Sequence, residues 1–227
     1  MSGRLIVIEG VDGAGTTTLA ARLTERCRAR RMAVFQTNEP SSGPVGALVR
    51  QALSHRFVVH TELGSAAPGW KTMALLFAAD RLDHLESEIM PALRDGVTVI
   101  SDRYDLSSLA YQSAVAGLDD PAGAASSVAW IRTLNAHARR PDLTLVLDVP
   151  AEVASRRRRE RARAAELYED EALQVRLVEA YARAEQLVVG DHVVHLDATR
   201  SIDEVLAAAE AALDACPQFG RSEPAGA

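Results

Sequence analysis

The sequence predicts an α/β protein built on one five-stranded parallel sheet with helices on both faces. Short apolar runs alternate with longer segments of helical periodicity along the chain, a pattern typical of strand–helix–strand crossovers. Each apolar run has the length and composition of a strand that is buried on both sides. The first run leads directly into a glycine-rich turn and a helix-like segment, which is the layout of a phosphate-binding loop.

The individual elements follow from these patterns in chain order. The predicted strands are residues 5–8, 33–37, 97–101, 143–148 and 193–197. The predicted helices are residues 19–31, 45–54, 72–94, 107–117 and 126–139. Ligands of parallel sheets lie beyond the carboxyl ends of the strands. We therefore expect the segments at 9–18, 38–42, 102–104 and 197–200 to share one edge of the sheet and to contain the functional site.

Length and composition are those of one globular domain. The chain has 227 residues, 48% of them hydrophobic, and a formal net charge of −6, which argues against a nucleic-acid partner. We expect one domain over residues 1–216, with a lid at about 151–171, and a disordered tail at 217–227. No apolar run has the length of a membrane span, and no signal peptide precedes the first strand. Two isolated cysteines fit a reduced, cytoplasmic location.

The glycine-rich turn departs from the usual phosphate-binding pattern at one position. Gly10, Gly13 and Gly15 let backbone N–H groups converge on phosphate oxygens, and Thr17 provides a hydroxyl for magnesium. Thr16 stands where the pattern has lysine. Only one of the 25 basic residues is lysine, so a general drift toward arginine does not explain the threonine. By itself the turn fits a simple strand-to-helix connection equally well.

Two further segments of the expected edge carry charged side chains. Asp102 and Arg103 follow the third strand. A carboxylate there can orient magnesium or its waters, and a guanidinium can bind phosphate through two donors. A structural ion pair at the end of a strand explains the two residues equally well. Glu39 follows the second strand and Arg50 lies on the helix beyond it, which alone is typical of an ordinary loop.

An arginine-rich segment follows the fourth strand. Residues 156–163 contain six arginines in a chain whose net charge is negative. Such a run is usually a solvated face of a helix. Beside a phosphate-binding loop it also suits a flap that closes over a nucleotide and stabilises a transferring phosphoryl group. The functional interpretation is favoured for some of these arginines.

Taken together, these segments resemble the thymidylate kinase family, in the bacterial form whose arginines lie in the lid. The resemblance runs from about residue 4 to residue 213, and segment 168–181 follows the family's helix after the lid. The combination of segments 75–86 and 101–112, at this separation in the chain, is very specific for the family. The matching segments are EGVDGAG (9–15), EP (39–40), LLFAADRLDHLE (75–86), PAL (91–93), SDRYDLSSLAYQ (101–112) and LDV (147–149).

The resemblance implies a P-loop fold like that of nucleoside monophosphate kinases and transfer of the γ-phosphoryl group of ATP to dTMP, with Mg²⁺, in a cytoplasmic homodimer. The implied ATP-binding residues are Gly10, Gly13, Ala14, Gly15, Thr16, Thr17, Thr18 and Arg200. The implied dTMP-binding residues are Asp12, Glu39, Arg50, Phe77, Arg81, Arg103, Ser108, Tyr111 and Gln112. Thr17 and Asp102 are implied at the metal. The implied catalytic residues are Asp12, Asp102, Arg103, Arg156, Arg159 and Arg163.

Individual roles follow from the same resemblance. Phe77 stacks on the base, and Arg81, one helical turn later, donates to a base carbonyl. Gln112 reads the base edge and Ser108 lines the same pocket, while Tyr111 lies under the deoxyribose and disfavours a 2′-hydroxyl. Asp12 and Glu39 hold the sugar hydroxyl or order the metal and its waters. Arg50 and Arg103 bind the acceptor phosphate, and Arg200 contacts the adenine of the donor.

Two departures from the family pattern leave alternatives open. Thr16 removes a cation from the donor phosphates, and Asn38 stands where many relatives carry arginine. Loss of one charge-assisted hydrogen bond costs about 1.5–3 kcal/mol, so we expect slowed turnover and a lid arginine from 156–163 in the place of the lysine. The alternatives are a kinase for another pyrimidine deoxynucleotide and a regulatory protein that binds nucleotides with little or no turnover.

Overall fold

A computed structural model describes residues 3–62, 64–119, 124–160 and 171–216 of the chain. The predicted tail at 217–227 lies outside the described residues, as does most of the part of the predicted lid that follows residue 160, including Arg163. The strands are β1 (Leu5–Gly10), β2 (Val34–Asn38), β3 (Val59–Thr61), β4 (Gly64–Ala66), β5 (Thr98–Asp102), β6 (Leu143–Asp148) and β7 (Val193–Asp197).

The helices occupy the segments between the strands. They are α1 (Thr16–Ala29), α2 (Pro44–Leu53), α3 (Trp70–His84), α4 (Met90–Arg94), α5 (Asp105–Asp119), α6 (Ala124–Leu134), α7 (Ala151–Glu160), α8 (Glu171–Tyr181), α9 (Ala184–Leu187) and α10 (Ile202–Ala215). A π-helical segment, Leu85–Ile89, joins α3 to α4, so these three pieces form one continuous helical stretch.

Five strands form a parallel sheet in the order β2-β5-β1-β6-β7. The central strand β1 pairs with β5 on one side, where Leu5 lies opposite Val99, and with β6 on the other, where Ile6 lies opposite Leu143. All six residues of β1 are buried. Because every strand runs in the same direction, the residues that follow β1, β2, β5, β6 and β7 meet at one edge, as the sequence predicts.

Alternate side chains of β1 enter two different apolar clusters, which places helices on both faces of the sheet. Ile6 and Ile8 pack with side chains from α1, α5, α8 and α10. Leu5 and Val7 pack with the π-helical segment and α4. Among the described residues, no helix combines the length and the hydropathy needed to cross a membrane.

The sequence prediction of the elements is confirmed for all five strands of the main sheet, two of them with the observed bounds. The predicted helix 72–94 is observed as α3, the π-helical segment and α4, beginning two residues earlier. The antiparallel hairpin of β3 and β4 was not predicted. Its strands are three residues long, too short for an alternating pattern to be recognised.

Candidate active site

The glycine-rich loop after β1 forms a phosphate-binding turn at the start of α1. Gly13 and Gly15 adopt positive φ angles of 92° and 105°, which glycine tolerates best. The Ala14 N–H donates to the Val11 carbonyl at 2.9 Å and closes the turn. No side chain caps the N-terminus of α1. Its first N–H groups are therefore available to an anion, at the end of the helix where the dipole favours negative charge.

The two residues predicted to hold magnesium lie in contact beside this loop. The Thr17 hydroxyl donates to Asp102 Oδ2 at 2.5 Å. Asp102 Oδ1 is buried and has no hydrogen-bond partner among the described residues. A carboxylate oxygen and a hydroxyl are the hard oxygen ligands that Mg²⁺ prefers. The pair would suit a magnesium ion.

The first part of the arginine-rich segment, α7, lies directly on the phosphate-binding loop. The Arg158 guanidinium donates to the Asp12 carbonyl at 2.7 Å and to Gln174 Oε1 on α8 at 2.9 Å. Arg157 donates to the Ala14 carbonyl at 3.4 Å. Nothing in the sequence distinguishes Arg157 and Arg158 from the other arginines of the run.

The lid arginines that the sequence singled out have other positions. Arg156 is exposed and lies 4.0 Å from Glu160, one turn later in the helix. Arg159 is also exposed. Their roles, like that of Arg163, stay predictions. Only the geometry of the folded loop distinguishes Arg157 and Arg158 from their neighbours.

A cavity of about 130 Å³ opens beside the loop at the same edge of the sheet. It contains eight of the nine predicted acceptor-binding residues, from four different parts of the chain. Leu53, Pro40, Tyr104 and Ser107 complete the wall and were not predicted. The cavity is lined by Asp12, Glu39, Pro40, Leu53, Phe77, Arg81, Arg103, Tyr104, Ser107, Ser108, Tyr111 and Gln112.

Arg50 is the predicted acceptor-binding residue that the cavity wall does not include. Its guanidinium donates to the Pro40 carbonyl at 3.0 Å and to the Ser41 carbonyl. It therefore holds the loop after β2 in place from α2. Because Nη1 makes both of these hydrogen bonds, the predicted contact of Arg50 with the acceptor phosphate would have to come from its other N–H groups.

Arg81 is buried in the wall of the cavity and is held by protein groups. Nη2 donates to Glu39 Oε2 at 2.6 Å and to the Tyr104 carbonyl at 3.0 Å. Nη1 donates to Oδ1 of Asn135, the residue that follows α6. Nε is buried without a hydrogen-bond partner among the described residues. The guanidinium thus has a fixed orientation before any ligand binds.

Arg103 stands between the cavity and the phosphate-binding loop. Its φ angle of 77° lies in the left-handed region, a strained conformation for arginine that often marks functional sites. Nη2 donates to Asp12 Oδ1 at 2.5 Å and Nη1 donates to the Gly10 carbonyl at 3.1 Å. The guanidinium carbon lies 5.2 Å from the centroid of the Tyr111 ring. Arg103 is therefore within reach of both the loop and the cavity.

Glu9, the residue before the first loop glycine, is a further residue of the site, and no role was predicted for it from the sequence. It is fully buried. Its carboxylate accepts from the Ser107 hydroxyl at 2.5 Å, the Tyr104 N–H at 2.8 Å and the Tyr181 hydroxyl of α8 at 3.2 Å. Burial raises the pKa of Glu9 to about 7, against the opposing effect of these donors and of Arg103. The sequence does contain one signal for a role of Glu9, since this charged residue directly follows the apolar run of β1.

A second cavity, of about 150 Å³, adjoins the loop at Ala14, Gly15 and Thr18. Gly15 and Thr18 of the loop form one wall, and Arg157 and Arg200 form another. Arg200 follows β7 and is partly held by Asp197, whose Oδ2 accepts from its Nε at 3.2 Å. The predicted donor residue Arg200 is thus brought to the phosphate-binding loop from more than 180 positions away in the chain.

A phosphate-binding loop at the carboxyl edge of a parallel sheet, with two cavities next to it and guanidinium groups around it, defines the class of P-loop phosphotransferases that act on nucleotides. Within this class, the sequence pattern of one family matches residues 8–209, namely thymidylate kinase. The chain belongs to the thymidylate kinase family.

Curated relatives agree with this assignment over most of the chain. A probable thymidylate kinase of Pyrococcus abyssi is 36% identical over 205 residues, which are 90% of this chain and 93% of the relative. A probable thymidylate kinase of Pyrobaculum aerophilum is 38% identical over 204 residues, 89% of this chain and 92% of the relative. A solved thymidylate kinase structure from Candida albicans matches the fold with a TM-score of 0.75 at 24% identity, covering 94% of this chain and 92% of that one.

Proposed function

We propose that this protein transfers the γ-phosphoryl group of ATP to dTMP and so produces dTDP and ADP. One observation carries the proposal. The Asp12–Arg103 pair, at 2.5 Å, joins the phosphate-binding loop to a cavity that holds eight of the nine residues expected to bind dTMP. Donor and acceptor sites that meet at one ion pair suit direct in-line transfer without a covalent intermediate.

The protein's contribution is positioning and charge. Phe77 provides an aromatic face for the base and Arg81 provides a preorganised donor beside it. Tyr111, buried with its ring against the Arg103 guanidinium, limits the space at the 2′ position of the sugar. Arg103 binds the acceptor phosphate and offsets the charge that develops between the two phosphates.

Thr17 and Asp102 would hold Mg²⁺, which when bound neutralises charge on the donor phosphates. Asp102 is itself held by the Thr17 hydroxyl, so both groups are oriented before the ion arrives. Arg200 and Arg157 border the cavity that we assign to the nucleoside of ATP. A cytoplasmic location and a homodimeric state remain predictions from the resemblance.

Thr16 raises the question of which cation takes the place of lysine. Thr16 is buried at the start of α1, and its hydroxyl carries no charge to the phosphates. Arg157 and Arg158 reach the loop from α7. We propose that one of these two guanidinium groups supplies the missing charge when ATP is bound.

The test is the release of ADP from Mg-ATP with dTMP, dUMP, dCMP and dGMP in parallel, for the wild type and the Thr16→Lys variant. We expect turnover by the wild type with dTMP above the other acceptors. Turnover with a different acceptor would mean that the protein uses the same mechanism on another nucleoside monophosphate. Asn38, which donates to the Pro40 carbonyl at 2.8 Å in the loop beside the cavity, is the sequence marker for that alternative.

Failure of the wild type with every acceptor, together with activity of Thr16→Lys, would contradict the proposal. The protein would then be a nucleotide-binding regulator rather than a kinase. The contacts of Asp102, Arg103 and Thr17 argue against this alternative, because a site that only binds nucleotide does not require all three.

A further inference from the structure

A buried cluster of titratable side chains lies behind the acceptor cavity. His84, the last residue of α3, is fully buried between the cavity wall and the π-helical segment. Its Nε2 atom lies 2.7 Å from the Thr37 hydroxyl of β2 and 3.5 Å from Glu88 Oε2. Its Nδ1 atom lies 3.5 Å from Glu39 Oε1. His84 therefore connects β2 and the π-helical segment to a wall residue of the cavity.

Glu39 is an ion-pair partner that is only half satisfied. Arg81 holds its Oε2 atom at 2.6 Å. Its Oε1 atom is buried with no hydrogen-bond partner among the described residues, and the same holds for His84 Nδ1. A buried ion pair is stable only when its remaining lone pairs and protons are also paired. The two unpartnered atoms face one another, so a small approach joins them.

The Thr37 hydroxyl decides which nitrogen of His84 carries the proton. When the hydroxyl donates to Nε2, the neutral imidazole carries its proton on Nδ1, toward Glu39. The π-helical segment begins at Leu85, directly after His84, and such segments are frequent at functional sites. It also places Glu88 Oε2 at 3.3 Å from Thr37 Oγ1, as a second acceptor for the same hydroxyl hydrogen, but farther away than His84 Nε2 at 2.7 Å.

We propose that His84 is a positioning residue of the acceptor site, which acts through Glu39 to fix Arg81 against the base. Thr37, His84, Glu39 and Arg81 form a chain from β2 to the cavity wall, and Nδ1 of His84 donates to Glu39 when the acceptor is bound. The inference rests on the proposed function. It assigns a role to a histidine that contacts no ligand itself.

Two substitutions separate the two nitrogens of His84. His84→Asn keeps an amide nitrogen near the place of Nδ1, and His84→Gln keeps one near the place of Nε2. We expect His84→Gln to weaken dTMP binding, measured by titration calorimetry, about tenfold or more, with ATP binding unchanged. We expect His84→Asn to stay within about threefold of the wild type. His192→Gln, at an exposed histidine, is the matched control.

A double-mutant cycle with Glu39→Gln shows whether His84 acts through Glu39. In the Glu39→Gln background we expect His84→Gln to weaken dTMP binding by less than about twofold further. Equal losses in His84→Asn and His84→Gln, or effects that multiply in the double variant, would overturn the inference. If His84→Gln does not fold, Thr37→Val releases Nε2 instead, and it is expected to weaken dTMP binding without affecting ATP.

The proposed function is checked on the same wild-type preparation by its turnover of dTMP. If the wild type uses a different acceptor, the proposed function fails, and the same titrations with that acceptor still decide the role of His84. A wild type that binds no acceptor nucleotide overturns both. A wild type that turns over dTMP, with His84→Gln binding dTMP normally, overturns the inference alone.

Discussion

Glu9 is a carboxylate without solvent exposure at the point where β1 becomes the phosphate-binding loop. Its acceptor oxygens are shared by Tyr104 just before α5, by Ser107 of α5 and by Tyr181 of α8. Tyr181 also lies 3.4 Å from the Arg103 guanidinium. Because these groups meet on one carboxylate, the charge of Glu9 affects the position of Arg103.

The raised pKa of Glu9 predicts a pH-dependent stability. Between pH 4.5 and about 7 the folded protein binds a proton that the unfolded chain releases. The contribution of Glu9 to the free energy of unfolding therefore falls as pH rises through this interval, by about 3 kcal/mol in all. We expect the difference in free energy of unfolding, wild type minus Glu9→Gln, to fall by about that amount from pH 4.5 to pH 8.

Urea unfolding at several pH values measures this difference. A misfit of the glutamine amide shifts the whole curve by a constant, so only its slope with pH tests the prediction. Glu25→Gln, at an exposed carboxyl of α1, is the control. A difference that does not change with pH would show that the hydrogen-bond donors around Glu9 fully offset the effect of its burial on the pKa.

The absence of the loop lysine predicts unequal effects of the lid arginines. Arg157→Ala or Arg158→Ala is expected to lower kcat about 10- to 100-fold, which corresponds to one charge-assisted hydrogen bond in the transition state. The KM for dTMP is expected to change less than about threefold, since neither residue lines the acceptor cavity. Steady-state kinetics measures kcat and KM of these variants. The control is Arg176→Ala, at an exposed arginine of α8. Wild-type kcat in both variants would exclude the replacement of lysine from α7.

At the scale of elements, α7 is docked on the phosphate-binding loop rather than separate from it. A Cβ atom on Gly13 would lie 2.4 Å from the Ala154 carbonyl oxygen and 3.2 Å from Cγ of Arg158. Only glycine permits this approach of helix and loop. The first turns of the predicted lid, which are those of α7, therefore also form part of the donor site.

Substitutions at Gly13 and Gly15 separate two costs, the steric clash of an added side chain and the strain of a positive φ angle. Both have positive φ, but a Cβ atom on Gly15 meets no atom within 4 Å. We expect Gly15→Ala to cost about 1–2 kcal/mol from its φ angle alone. Gly13→Ala is expected to cost about 1–3 kcal/mol more, because α7 must move. Thermal unfolding of the two variants measures the difference. A smaller loss in Gly13→Ala than in Gly15→Ala would mean that α7 does not rest on the loop.

The sequence predicted the elements well because each carries its own local signal. The apolar runs of β6 and β7 end where the strands end, since the residues that follow leave the sheet. The roles of Arg157 and Arg158 had no such signal. Six similar side chains in one run differ only in which face of α7 meets the loop, and the packing at Gly13 decides that face. His84 was likewise quoted within a motif, but its partners come from β2 and Glu39.

At the scale of the whole molecule, α3 presents apolar side chains to solvent. Leu75 and Leu82 are seven residues apart, on the same face of the helix, and are 51% and 36% exposed. We expect this face to form the contact of the predicted homodimer. Sedimentation equilibrium should give about twice the chain mass of 24.4 kDa.

Leu75→Glu is expected to shift the protein toward the monomer, because a carboxylate at an apolar contact is not paired. Val189→Glu, at the most exposed of the large apolar side chains in the described part of the chain, is the control. A monomeric wild type at micromolar concentration would contradict the homodimer.

The strand order has a consequence for how the chain folds as it is synthesised. The first strand made, β1, occupies the middle of the sheet, and its two neighbours are residues 98–102 and 143–148. Until β6 has left the ribosome, the nascent chain carries an apolar strand whose backbone groups are unpaired on at least one side. Folding of the sheet therefore waits for translation to pass well beyond the middle of the chain. The catalytic edge, which needs all five strands, is the last part of the molecule to be complete.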